Sequence, residues 1–128
     1  MTVLIAAPLL LAHPTMAGSN YESTAKLKLI GHLTAKVTVV AQGDLVTGPP
    51  NPKCEESRKV VIQRKKAGKW TKVEAGKTGS PFVQGQTPGV YKSGIPDKAG
   101  KYRVVAKKKA VSGGVCVRAV SKIIKHTH

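Results

Sequence analysis

Apolar and polar residues alternate with a period of two along most of this chain. Residues 24–30 (TAKLKLI) set Leu27 and Leu29 against Lys26 and Lys28, and residues 34–41 (TAKVTVVA) set Ala35, Val37 and Val39 against Lys36 and Thr38. Successive side chains of an extended strand point to opposite faces, so this alternation predicts strands with one buried and one wet face. Gly31 and His32 lie between the two segments and predict a hairpin connection. Residues 58–64 (RKVVIQR) carry the clearest strand signal, β-branched, with Val60 and Ile62 inward. Residues 65–69 (KKAGK) read as a turn around Gly68, and Trp70, Val73 and Ala75 mark the strand that follows. Residues 90–95 (VYKSGI) read as another. Tyr102, Val104 and Ala106 then alternate with Lys101, Arg103, Val105 and Lys107, and residues 115–124 (VCVRAVSKII) form the last predicted strand. Each of the two cysteines, Cys54 and Cys116, opens a segment of strand character.

Between these segments lies turn chemistry. Residues 42–53 (QGDLVTGPPNPK) are rich in Gly and Pro, residues 76–89 form a long connection containing Phe82 and Val83, residues 96–100 (PDKAG) are a turn, and residues 108–114 are a basic, Gly-containing loop. No long stretch repeats at the helical period. Short strands at this spacing predict an all-β, antiparallel sandwich of about seven strands.

Residues 3–12 (VLIAAPLLLA) are apolar and uncharged, too short to span a bilayer but the length of a signal-peptide core. Thr15 and Ala17 supply small residues for a cut before Gly18, although no Lys or Arg precedes the apolar run. The expected organisation is a signal peptide over residues 1–17 and one β-sandwich domain over residues 18–128. The expected location is extracellular or at the cell surface, with no transmembrane segment in the mature chain. In an exported chain, two cysteines pair most simply with each other; in a reducing compartment they would be two core thiols. A tetrahedral metal site needs further ligands, and no Cys-x-x-Cys occurs.

Charge changes the picture more than composition does. The formal net charge is +16 over 128 residues. Such an excess repels itself in the folded state and draws in polyanions over long range. Lysine dominates the positive residues, and lysine acts as a hydrated point charge where arginine would read phosphates or base edges bidentately. The clusters Lys65, Lys66 and Lys69, and Lys107, Lys108 and Lys109, are the candidate anion-binding residues; the plainer reading is solvated turns kept soluble by charge.

The order of segments resembles small secreted Ig-like or prealbumin-like β-sandwich domains of the kind found in actinobacterial surface and exported proteins. The features that carry the resemblance are Tyr21-Glu-Ser-Thr24 before an alternating strand, then Cys54 ahead of Arg58-Lys-Val-Val-Ile-Gln-Arg64, and Gly68-Lys-Trp70 before Val73. Gly89-Val-Tyr91 follows, and Ala99-Gly-Lys-Tyr102-Arg-Val-Val105 leads to Cys116 and Ala119-Val-Ser121-Lys122. Residues 77–89 depart from that pattern, being longer and free of acids. The resemblance implies a fold and a secreted setting, and no catalytic residue.

The chemistry-bearing residues otherwise form no recognisable constellation. Gly76-Lys77-Thr78 resembles the end of a phosphate loop, but the required earlier glycine position holds Thr71 and no helix is predicted to follow. The acids Glu22, Asp44, Glu55, Glu56, Glu74 and Asp97 make no glycosidase pair, and neither Gly-x-Ser-x-Gly nor His-Glu-x-x-His is present. His13 would leave with the signal peptide, His32 falls in a turn, and His126 and His128 read as a solvated tail. The chain holds few aromatics for stacking single strands: Tyr21, Trp70, Phe82, Tyr91 and Tyr102, with Trp70 and Tyr102 read as core or half-core residues. The expectation is a non-enzymatic interaction module without a cofactor. Its expected partners are anionic cell-envelope polymers or another surface protein. The alternatives are a basic nucleic-acid-binding protein and a cationic secreted effector.

Overall fold

The computed structural model describes residues 19–34, 38–48, 51–80 and 83–127. The expected signal peptide, Ala35 to Val37 of the expected first hairpin, Phe82 and His128 lie outside the described residues. The fold is all-β and sandwich-like, built from short antiparallel strands with one parallel pair. One layer is a three-stranded sheet in the order β2 (Ser23–Thr34), β3 (Thr38–Thr47) and β6 (Val90–Pro96). The other is a five-stranded sheet. Its path runs β10 (Ala119–Val120), β7 (Gly100–Ala106), β4 (Lys59–Lys66) and β5 (Lys69–Lys77), and β11 (Ile124–His126) also pairs with β7. A small third sheet joins β1 (Ser19–Tyr21), β9 (Gly114–Cys116) and β8 (Lys109–Val111), with β1 parallel to β9.

The core lies between the two larger sheets. Ala25 and Leu27 of β2, Val39, Ala41 and Leu45 of β3 and Ile95 of β6 face Val60 and Ile62 of β4, Tyr102, Val104 and Ala106 of β7 and Ala119 of β10. These are alternate positions of their strands, as period-two burial requires. Tyr102 is buried along its ring and donates its hydroxyl to the Lys98 carbonyl oxygen at 2.6 Å, so the polar tip of a core residue is satisfied. Gly76 on β5 is compelled by packing: a Cβ there would stand 2.3 Å from Cε1 of Tyr91. The β4–β5 hairpin closes through Ala67 (φ 52) and Gly68 (φ 79), the two positive-φ residues of a tight two-residue turn between Lys66 and Lys69.

Several strand boundaries differ from those the pattern predicts. β2 continues through Gly31 and His32, with register irregularities between Ile30 and His32 and between His32 and Thr34, so the chain reverses later than expected. β3 runs on to Thr47, into the segment read as loop. The residues read as one final strand divide into β9, β10 and β11, and β1 and β8 arise from segments read as a polar lead-in and a loop. Short pairings of two or three residues are set by neighbouring strands and leave little trace in a one-dimensional pattern.

Cys54 is not on a strand. It sits in a single helical turn, α1 (Pro52–Glu55), capped by Asn51, whose side-chain oxygen accepts from Lys53 N at 3.1 Å, with Pro52 at the first turn. The cysteines form a disulfide, Cys54–Cys116, tying α1 to β9. Among the described residues, no helix is long and apolar enough to cross a membrane.

Candidate binding face

The residues of the five-stranded sheet that alternate with the core residues make up its outer face. On β4 these are Lys59, Val61, Gln63 and Lys65. Register carries the same face across the sheet. Lys59 is opposite Lys77, Val61 opposite Ala75, Gln63 opposite Lys72 and Lys65 opposite Trp70 on β5. On the other side, Val61 is opposite Val105 and Gln63 opposite Arg103 on β7. Val105 then pairs with Val120 of β10, and Lys101 with Lys125 of β11. Lys107 follows the end of β7 and its backbone N–H donates to the Lys59 carbonyl oxygen at 2.9 Å.

The face is therefore ordered in rows that run across the strands. An apolar row, Val120, Val105, Val61 and Ala75, is flanked by Lys107, Lys59 and Lys77 on one side and by Arg103, Gln63 and Lys72 on the other. Val61 and Val105 are buried although they lie outside the core. Arg103 is held in place: its Nε donates to Gln63 Oε1 at 2.7 Å and its guanidinium lies 4.3 Å from the centroid of the Trp70 ring, with Lys65 Nζ at 5.9 Å. Desolvation and the nearby charge of Arg118 lower the pKa of Arg103. Two arginines thus share a neighbourhood.

Among the described residues, no carboxylate side chain stands on this face. Glu74 shares register with the core residue Ile62, and its Oε2 is 3.5 Å from Ser93 Oγ on β6. Glu55 accepts the Thr47 N–H at 2.8 Å, Asp44 accepts from Gln42 on the other sheet, and Asp97 is paired with His126 at 2.7 Å. His126 belongs to β11, docked on β7, and is not part of a solvated tail. Among the described residues, none of the face's lysines or arginines is salt-bridged to a carboxylate.

The candidate lysines read from sequence do not form one patch. Lys65 and Lys107 are on the outer face. Lys66 and Lys69 pair with each other at the hairpin tip, on the alternate positions. Lys108 lies between β7 and β8 and is exposed. Lys109 is engaged in structure: its Nζ donates to the carbonyl oxygens of Lys53 at 2.7 Å and Glu56 at 2.9 Å. Desolvation lowers its pKa, partly countered by Glu56 and reinforced by Arg58, Lys53 and Lys77. The hairpin-tip lysines and the Lys107–Lys109 group stand at opposite ends of β4, separated by about 23 Å at ~3.3 Å per residue. Runs of lysine along the chain do not include Lys59, Lys72, Lys77, Lys101, Arg103 and Lys125 of this face. Their signal was the polar half of the alternation itself, visible in Lys101, Arg103 and Lys107 against Tyr102, Val104 and Ala106.

Beneath one end of the face lies a buried cation. Arg58 is 0% exposed, and its guanidinium donates to three carbonyl oxygens: Lys107 at 2.6 Å, Cys54 at 2.9 Å and Val117 at 2.7 Å. Its backbone N–H donates to Thr78 Oγ1, which in turn donates to the Glu55 carbonyl oxygen. Burial lowers the Arg58 pKa. The guanidinium ties α1, the end of β7 and the segment after β9 around the disulfide. Among the described residues, no group of three or more His, Cys, Asp or Glu side chains is placed to hold a metal ion. Comparison of the chain with family models, with curated proteins and with solved structures finds no match.

Proposed function

We propose that this protein is an extracellular, non-enzymatic module of the Ig-like or prealbumin-like kind that binds anionic polymers through the outer face of its five-stranded sheet. The observation that carries this reading is the pairing of like charges across that face without a carboxylate: Lys59 opposite Lys77 and Lys101 opposite Lys125. Like charges directly opposite each other destabilise a sheet. A bound polyanion removes that repulsion, so the arrangement costs stability in the free protein and returns it on binding. Lysine's predominance supports attraction by charge density over sequence reading. The disulfide supports an oxidising compartment.

The test is a titration of the disulfide-intact protein with inorganic polyphosphate over a range of salt. The logarithm of the binding constant is expected to fall linearly with the logarithm of salt concentration, as counterion release requires. Replacing Lys72, Lys101 and Lys125 with Gln lowers affinity and flattens that slope. The same replacements at Lys66, Lys69 and Lys108, off the face, change both less. Equal effects from the two sets would remove the outer face as the binding surface.

A further inference from the structure

We infer that the depression ringed by Lys59, Lys77 and Lys107 is a phosphate-binding site, which takes a phosphate group of a linear phosphate polymer that carries no bases. This inference rests on the reading of the outer face as a polyanion surface, and names the group taken and the place. The depression has a volume of about 270 Å³ and a floor that includes Val61 and Ala75. Its three lysines stand side by side across the sheet, Lys107 just past the end of β7, Lys59 on β4 and Lys77 on β5: Lys107 donates its N–H to the Lys59 carbonyl, and Lys59 is directly opposite Lys77. Three neighbouring strands span only about 10 Å, at ~4.8 Å between strands. Three exposed lysine side chains therefore rim one small volume.

What lies below strengthens the case. The buried Arg58 guanidinium is hydrogen-bonded to the carbonyl of Lys107 itself, and among the described residues its partners are carbonyl oxygens. Its charge is offset by dipoles and, among the described residues, by no salt bridge to a carboxylate, and in a poorly solvated position it is weakly screened. Arg118 precedes Ala119 where Lys107 follows Ala106, and Ala119 and Ala106 are register partners, so a further cation flanks the same end of the sheet. Cations therefore lie around the depression and beneath it, while the charge of Glu56 acts on the neighbouring Lys109.

The chemistry of the ring selects the anion. Lysines bind phosphate as point charges, without the planar fork by which arginine grips a carboxylate edge-on. Each interior phosphate of a linear phosphate polymer presents two non-bridging oxygens and its neighbours along the chain present more at close, regular spacing, so adjoining groups can accept from three lysines at once, whereas the carboxylates of an acidic peptide stand on separate side chains that must each be ordered. Bases find no platform here. Trp70, the aromatic residue of the face, is opposite Lys65, about 20 Å along β4 from Lys59 at ~3.3 Å per residue, and Arg103 already covers its ring.

Inorganic polyphosphate is the probe. The triple variant K59Q/K77Q/K107Q is expected to lose about tenfold more affinity for it than K72Q/K101Q/K125Q at the same salt, although both remove the same charge. Amide chemical-shift changes in the wild-type protein on adding polyphosphate are expected to concentrate at residues 59–61, 75–77 and 105–107, a readout that does not depend on any variant folding. The wild type is expected to bind polyglutamate of matched charge more weakly, and single-stranded oligothymidylate no more tightly, than polyphosphate. Equal losses from the two triples, with both still exceeding the off-face set, would overturn the site while leaving the basic face standing. Shift changes centred on Trp70, or binding to oligothymidylate that Trp70→Ala abolishes, would overturn the base-free ligand. Polyglutamate bound as tightly as polyphosphate would overturn the phosphate assignment.

Discussion

At the scale of single residues, Arg58 carries the most structural consequence. A buried guanidinium ordinarily needs a carboxylate, yet here three backbone carbonyls from separate segments satisfy it. Replacing it with Met leaves all three acceptors without their donor. At about 1 kcal/mol for each lost hydrogen bond, the expected destabilisation is about 3 kcal/mol or more. Arg58→Lys is expected to recover part of this, because one ammonium cannot span carbonyls that the planar fork reaches together. Chemical denaturation of the oxidised protein measures both; a loss for Arg58→Met well under 1 kcal/mol would show the clasp to be dispensable. In the sequence Arg58 is only a cation at the head of a strand pattern. Its burial depends on Cys54, Lys107 and Val117 meeting in space, which no local signal encodes.

At the scale of elements, the alternating segments were legible and their ends were not. β4, β5, β6 and β7 appear close to where period-two alternation places them, because each lays one face on the core. Alternation cannot say where a chain reverses, so β2 passes through Gly31 and His32 on irregular register. The strand pattern predicts that Cys54 opens a strand, but Asn51 and Pro52 provide a cap and a first turn for α1 instead. That turn has no partner strand, and the disulfide to β9 anchors it. In the chain-entropy description, closing a loop of this size, with the cysteines 62 residues apart, stabilises the fold by about 4 kcal/mol. The double variant C54A/C116A is accordingly expected to unfold at markedly lower denaturant, with the unfolding free energy reduced by about that amount. A change of less than 1 kcal/mol would mean that Arg58 and the small sheet hold α1 without the bond.

At the scale of the whole molecule, charge sets the behaviour of the free protein. With a net charge of +16 and cations paired across the outer face, folding brings like charges together. Raising ionic strength from about 0.01 M to about 0.15 M shortens the Debye length from ~30 Å to ~8 Å. The thermal midpoint of the free protein is expected to rise over that range, while affinity for polyphosphate falls. A midpoint that is flat or declining with added sodium chloride would show that self-repulsion is not a significant cost of this fold. Such opposite responses are the signature of a surface whose charge serves binding at the expense of stability. The polycationic character of the chain was legible from composition. The site was only half legible: Lys65 and Lys107 were among the candidates, but runs along the chain pointed to turns, whereas the face is made of rows across four strands.

The sequence by itself determined the class of the fold, the inward positions of its main strands, the excess of lysine and the availability of two cysteines for a bond. All of these follow from local alternation and from composition, which act within a few residues or over the whole chain without regard to topology. Only the tertiary structure decided which strands are neighbours, and with that which charges share a face. Lys59, Lys77 and Lys107 are far apart in sequence and become one depression because β4 pairs with β5 on one edge and β7 on the other. The same pairing sets Arg58 beneath them. Hydrogen-bond register between strands is a long-range property, and the positive rows exist only once that register is formed.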